Sequence, residues 1–210
     1  MSIFEQIKDA TISGNTPKVV ELANLALAEG KSPSMIIQEG FIAAMGVVGE
    51  RFKQGEIYVP EMLIAARAMQ AGLKVTKPFL VMGELPTLAK VIIGTVKGDL
   101  HDIGKNLVSM MIEGAGAVVI DLGVDVSSEQ FVEAIQTYQP QFICMSALLT
   151  TTMPQMEINI KALVDSGLRD KVKVLIGGAP VSTEYALKIG ADGYAANAGE
   201  AVDKIKELLK

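Results

Sequence analysis

The segment Lys97-Gly98-Asp99-Leu100-His101-Asp102-Ile103-Gly104-Lys105-Asn106 gathers much of the reactive chemistry of this chain into ten residues. It holds the one histidine, His101, with carboxylates at Asp99 and Asp102 and glycines at Gly98 and Gly104. An imidazole can ligate a metal or carry a proton near neutral pH, and a carboxylate two residues away can hold its other ring nitrogen. Three further polar stretches are of the same kind. Ser146-Ala147-Leu148-Leu149-Thr150-Thr151-Thr152 offers hydroxyls, Gly177-Gly178-Ala179-Pro180 permits close backbone approach, and Ala195-Ala196-Asn197-Ala198-Gly199 is small and uncharged. Together they present an imidazole, carboxylates and hydroxyls, with few charges to match a phosphate-rich ligand. The ordinary alternatives stand beside this. A lone histidine is commonly a satisfied core or surface residue, a double glycine is commonly a turn, and hydroxyls after a strand commonly cap the next helix.

Composition narrows the chemistry. One histidine and one cysteine, Cys144, cannot supply the ligands of a structural zinc site or an internal disulfide. Nineteen basic residues against twenty-four acidic ones leave a net charge of −5, which argues against a nucleic-acid or anionic-membrane surface. No run reaches the roughly 20 apolar residues of a membrane span. The start, Met1-Ser2-Ile3-Phe4-Glu5, lacks the basic-then-apolar order of a signal peptide, so a cytoplasmic location is expected. At 210 residues, half of them hydrophobic, the chain can bury a core in one large domain or two small ones.

Two periodicities divide it. Up to about residue 82 the pattern is helical: Ile37, Phe41, Met45, Val48 and Phe52 recur at steps of three and four, as do Met62, Ala66, Met69 and Leu73. The spacing predicts helices over 3–14, 16–30, 33–54 and 60–80. Stops fall at Gly14, Gly30 and Gly55, with Pro33 and Pro60 at first helical positions. A four-helix bundle is the economical arrangement. Gly83-Glu84-Leu85-Pro86 reads as a linker. Beyond it, apolar runs at 91–96, 118–122, 142–146, 172–176 and 193–195 alternate with helical segments at about 104–115, 128–137, 154–166, 182–188 and 199–209. Continuously apolar runs suit strands covered on both faces, and the alternation predicts a doubly wound, five-stranded parallel sheet of Rossmann-like, flavodoxin-like type. The expected fold is thus α + α/β, with a helical cap domain at 1–86 and a Rossmann-like domain at 87–210. Ligands of such sheets bind beyond the carboxyl ends of the strands, where the four polar stretches lie. Cys144, inside the third run, is expected to be an inert core residue.

The order Asp99-x-His101-x-x-Gly104, then Ser146-x-Leu148, then Gly177-Gly178 resembles the signature of cobalamin-binding proteins. More closely, the chain is similar to the corrinoid proteins of methyl-transfer systems and to the cobalamin module of methionine synthase. Gly46-Val47-Val48-Gly49-Glu50-Arg51-Phe52, Gly55-Glu56 and Tyr58-Val59-Pro60-Glu61-Met62 resemble the helical cap that precedes the corrinoid domain in that family. The likeness therefore spans nearly the whole chain, in the expected order.

The resemblance implies cobalamin bound with its nucleotide base displaced from cobalt and His101 as the metal's lower axial ligand. Asp99 would accept from the imidazole. Thr152 stands where the family commonly has a serine, keeping the hydroxyl and adding a methyl. Ser146, Leu148 and Thr150 would meet the lower face and tail, Gly104, Gly177 and Gly178 would admit the tail, and Gly98, Leu100, Asp102, Ile103 and Ala198 would complete the contacts. Phe52 and Val59 match the family's two capping positions over the upper face, with Val59 smaller than the leucine often found there. Met45 is counted with these cofactor contacts, although its spacing also suits the helical core, like that of Met62 and Met69.

By the same resemblance the chain would carry a methyl group on cobalt rather than act as a catalyst itself. A substrate-specific methyltransferase would load it, a second methyltransferase would unload it to an acceptor such as tetrahydrofolate or a thiol, and a reductive activase would service the cobalt. The linker at 83–86 would serve as the hinge of the cap. Two other readings stand: a cobalamin-responsive sensor acting through protein contacts, and the cobalamin subunit of a mutase.

Overall fold

The structure is a computed structural model and describes residues 1–80 and 87–210. The expected linker Gly83-Glu84-Leu85-Pro86 lies outside the described residues. Two compact units emerge: Met1–Leu88 with Gly114–Gly116, and Ala89–Glu113 with Ala117–Lys210.

The first unit is helical. Helix α1, Ile3–Ile12, is opened by a reciprocal cap in which Glu5 N donates to Ser2 Oγ at 3.1 Å and Ser2 N donates to Glu5 Oε2 at 2.7 Å. Helix α2, Thr16–Ala28, starts on Asn15 with Pro17 in its first turn. The third expected helix is interrupted. A short α3, Pro33–Met35, runs into a π-helical stretch, Ile36–Ile42, before α4, Ala43–Lys53. Two features of the sequence suit the wider turn. Ile37, Phe41 and Met45 recur strictly by fours, and Gly40 lets Ile7 come so close that a Cβ there would lie 2.7 Å from its Cγ2. Helix α5, Val59–Thr76, ends earlier than its periodicity implies, because Pro78 has no N–H and restricts the residue before it; a 3₁₀ turn, Lys77–Phe79, follows. Phe41, Met45, Met62 and Met69 are buried in this unit.

The second unit alternates β1 (Lys90–Thr95), α6 (Ile103–Gly114), β2 (Val118–Asp121), α7 (Ser128–Tyr138), β3 (Phe142–Ser146), α8 (Pro154–Asp165), β4 (Lys173–Gly177), α9 (Thr183–Ile189), β5 (Gly193–Ala195) and α10 (Ala198–Leu208). The strands form one parallel sheet in the order β2-β1-β3-β4-β5, the doubly wound arrangement that the alternation predicted. Val91, Ile92 and Ile93 of β1 pair with Phe142, Ile143 and Cys144 of β3, and this central ribbon is buried on both faces. Phe131, Met145, Ile160, Leu163, Val174 and Ile176 close the core, each worth about 1.5–3 kcal/mol of burial. Continuous cover on both faces does not extend to β2. It is one of the sheet's two edges, and Val118 and Asp121 are exposed.

The order in which strands are added reverses at β1, since β2 lies on one side of β1 and β3 on the other. The loops after these two strands therefore diverge around the crevice where doubly wound sheets bind ligands. Among the described residues, no helix is long and apolar enough to cross a membrane.

Gly72 on α5 sets a packing limit in the helical unit, because a Cβ there would lie 2.3 Å from Phe41 Cζ and 2.9 Å from Val19 Cγ1. Both side chains are fully buried, so a methyl group there must displace packed core. Gly72→Ala is therefore expected to destabilise the protein by about 1–3 kcal/mol, read as a lower denaturant midpoint at unchanged slope.

Candidate functional site

Strand β1 ends at Thr95, whose hydroxyl donates to His101 O at 2.9 Å and so folds the following loop back on the strand. Inside that loop the Asp99 side chain is fully buried, whereas the imidazole of His101 is about half exposed, at 52%. Asp99 Oδ1 accepts from His101 N at 3.1 Å and lies 2.7 Å from His101 Nδ1. Its other oxygen faces the loop after β3. Oδ2 accepts from Leu148 N at 2.8 Å, from Leu149 N at 3.3 Å and from the Thr152 hydroxyl at 2.7 Å. One carboxylate thus joins the two loops that flank the crevice.

Burial opposes the charged form of Asp99, but the bonds from Thr152, Leu148 and His101 outweigh it and hold the carboxyl well below the usual carboxylate range. A charged acceptor at Nδ1 places the ring proton there. Nε2 is then the nitrogen left with a lone pair for a metal.

Around the imidazole lie exposed apolar side chains, Leu100 at 71%, Ile103 at 75% and Leu148 at 43%. Asp102 and Gly104 are exposed as well, and a Cβ on Gly104 would meet nothing within 4 Å, so the start of α6 is open. Thr150 is exposed and Ser146 partly buried, while Ala198 is buried in the first turn of α10. Gly98 turns the chain with a positive φ of 82°. Gly177 and Gly178 answer first to the protein's own backbone. A Cβ on Gly178, whose φ is 128°, would lie 1.9 Å from Ala147 O, and one on Gly177 would lie 3.1 Å from Ala195 O. In the helical unit, Phe52 and Val59 are partly buried at the end of α4 and the start of α5, and Met45 is buried in α4.

Four residues of this region were not singled out in the sequence. Leu149 binds Asp99 through its backbone, and Asp121, Asp125 and Lys105 hold the loop after β2. The signal was available in Asp121-Leu122-Gly123-Val124-Asp125, an acidic pair around a glycine at a strand end.

A half-exposed imidazole fixed by a buried carboxylate, beside an open helix start and an apolar rim, fits a flat, largely apolar metal complex that needs one protein ligand. Among the described residues, no cluster of three or more His, Cys, Asp or Glu could hold a metal ion without such a complex.

Comparison with known proteins shows the class of cofactor. The family described as "B12 binding domain" matches residues 89–203, and a second family of that description matches residues 3–77. The chain is 43% identical over 210 residues to trimethylamine corrinoid protein 1 of Methanosarcina acetivorans, covering 99% of this chain and 97% of that protein. It is 44% identical over 208 residues to the dimethylamine corrinoid protein of Methanosarcina barkeri, covering 99% and 97%. Among solved structures, a cobalamin-binding protein of Desulfitobacterium hafniense DCB-2 superposes with a TM-score of 0.80 at 31% identity, covering 99% of this chain and 98% of that one. The methanol:cobalamin methyltransferase complex MtaBC of Methanosarcina barkeri gives a TM-score of 0.86 at 28% identity, covering 99% and 84%.

The Asp99 carboxylate sets two expectations. Asp99→Asn removes a buried charge that accepts from both loops and turns an amide N–H toward other donors, at a cost on the order of 3 kcal/mol. Because the folded state lowers the pKa of Asp99, its contribution is complete above the ordinary 3.8 and is lost as pH falls below that value. Urea unfolding of both proteins should therefore show a constant stability gap near neutrality that narrows in acid. A gap that widened in acid would contradict this.

Proposed function

The chain belongs to the B12-binding corrinoid proteins, and from that premise we propose that it is a methyl carrier that binds cobalamin base-off, with His101 Nε2 as the lower axial ligand. The observation that carries this reading is the buried Asp99, bonded to His101 Nδ1 on one oxygen and to Thr152 on the other. Bound cobalamin supplies a cobalt centre able to take up and give up a methyl group.

Each residue then has a task. Asp99 keeps the proton on Nδ1, aims the ring and raises the basicity of Nε2. The Thr152 hydroxyl, whose one proton goes to Asp99 Oδ2 at 2.7 Å, limits how far the carboxylate can swing. Leu100, Ile103 and Leu148 offer the apolar rim for the lower face, with Gly98 and Asp102 completing the histidine loop. Gly104, at the open start of α6, with Ser146, Thr150, Gly177, Gly178 and Ala198, would hold the nucleotide tail. Residues 1–86 would serve as the cap domain and 87–210 as the cofactor domain, with Phe52, Val59 and Met45 the residues assigned to shield the bound group.

The relatives support one partner, a methyltransferase. Proteins similar over almost the whole chain are trimethylamine and dimethylamine corrinoid proteins, and a similar solved chain comes from the methanol:cobalamin methyltransferase complex MtaBC. A methylamine-type methyltransferase is the proposed donor partner. A second methyltransferase delivers the methyl group to a thiol or tetrahydrofolate acceptor, and a reductive activase restores the cobalt.

Reconstitution with cobalamin tests the ligation. The wild-type protein is expected to show a base-off, histidine-ligated absorption spectrum that His101→Gly loses, and an identical spectrum in the two would overturn the assignment. Loss of trimethylamine- or dimethylamine-dependent methylation when the donor methyltransferase is omitted tests the carrier role.

A further inference from the structure

Lys105 lies in the first turn of α6, two residues beyond the start of the helix, and its side chain is only 2% exposed. Two physical costs act against it there. A cation is disfavoured by the dipole at a helix N-terminus, and a buried ammonium loses its hydration. Its ammonium is nonetheless held by the Asp121 carboxylate at the end of β2 and by Asn106 Oδ1 at 2.6 Å. Asn106 donates in turn to Asp102 Oδ2 at 3.0 Å. The circuit therefore runs from the residue next to His101, through α6, to the far end of β2.

Asp121 also reaches the histidine loop from the other side. Its Oδ1 accepts from Gly123 N at 2.8 Å and shapes the 121–126 loop. That loop clasps the end of β1 and the histidine loop with two bonds each: Thr95 N to Gly123 O at 3.0 Å and Val126 N to Thr95 O at 3.0 Å on the strand, then Asp125 N to Asp99 O at 3.0 Å and Gly98 N to Asp125 Oδ1 at 2.7 Å on the loop. Asp125 makes the last two with a positive φ of 56°, a strained backbone for a residue that is not glycine.

An apolar pair would hold α6 to β2 about as firmly as a desolvated ion pair. What the ion pair adds is a defined distance and direction. We propose that Lys105 and Asp121 are positioning residues for the axial histidine: they tie the start of α6 to the 121–126 loop, so that the His101 loop is gripped from the β2 side as Asp99 grips it from the β3 side. The inference rests on His101 being the axial ligand.

The test uses the whole chain labelled with ¹⁵N, loaded with cobalamin and reduced by one electron, so that electron spin resonance reports whether a protein nitrogen couples to cobalt. Wild type should show the doublet of a ¹⁵N ligand and His101→Gly should not; a wild type without it defeats the ligation itself, a separate failure. Lys105→Met leaves Asp121 hydrated at the edge, so the apo protein should melt close to wild type while the ratio of coupled to uncoupled cobalt falls about ten-fold. Lys105→Arg, which keeps the cation, should recover most of the coupling. Lys105→Met/Asp121→Leu, with no orphaned charge, should melt like wild type and still lack coupling. Full coupling in Lys105→Met, or coupling lost only in step with melting temperature across the three variants, would overturn the proposal.

Discussion

A fully buried carboxylate at the mouth of a parallel sheet is the constraint on which this site is built. Asp99 could not remain charged there without the donors that surround it, and those donors come from two loops separated by about fifty residues of sequence. Satisfying one carboxylate therefore fixes the relation of the loop after β1 to the loop after β3. His101 inherits its place from that requirement, since both its backbone N–H and its Nδ1 turn to the same oxygen. The imidazole is held by the fold rather than by its own packing, which leaves its other nitrogen facing outward.

Topology explains why these two loops are available to one another. With the order β2-β1-β3-β4-β5, β1 and β3 are neighbours whose connections leave on opposite sides, and the crevice opens between them. The ribbon of β1, β3 and β4 beneath that crevice is buried. The edge at β2 is short and partly exposed, yet its loop makes two bonds to the end of β1 and two to the histidine loop, and its terminal Asp121 meets the buried Lys105. Polar pairing at the rim and apolar packing beneath it thus divide the work: the core sets where the strands end, and the charged pairs set where the loops go.

Much of this was legible along the chain. The strand and helix alternation, the histidine loop and the hydroxyl-bearing loop after β3 were all evident, because periodicity and turn residues act over a few positions. The π-helical stretch at Ile36–Ile42 was not, although Gly40 and the spacing by fours of Ile37, Phe41 and Met45 carry its trace. A four-residue step reads as an ordinary α-helix until another chain segment, here Ile7, presses on it. Lys105 was equally opaque, since a lysine on an amphipathic helix is solvated by default and only a carboxylate brought from another strand makes burial tolerable. Gly178 looked like a place for a ligand, whereas its absent side chain makes room first for the carbonyl of Ala147.

The sequence by itself determined the order of elements, the residue types at each strand end and the solitude of the one imidazole, because these depend on neighbours along the chain. It also carried enough ordered motifs to mark the family. The tertiary structure decided which carboxylate is buried and which exposed, which loops share it, and which strand becomes the edge. Those outcomes depend on desolvation, and a group is desolvated only by whatever distant part of the chain folds over it. Asp99 and Asp102 flank the same histidine in the sequence; only the fold makes the first an anchor and leaves the second at the surface.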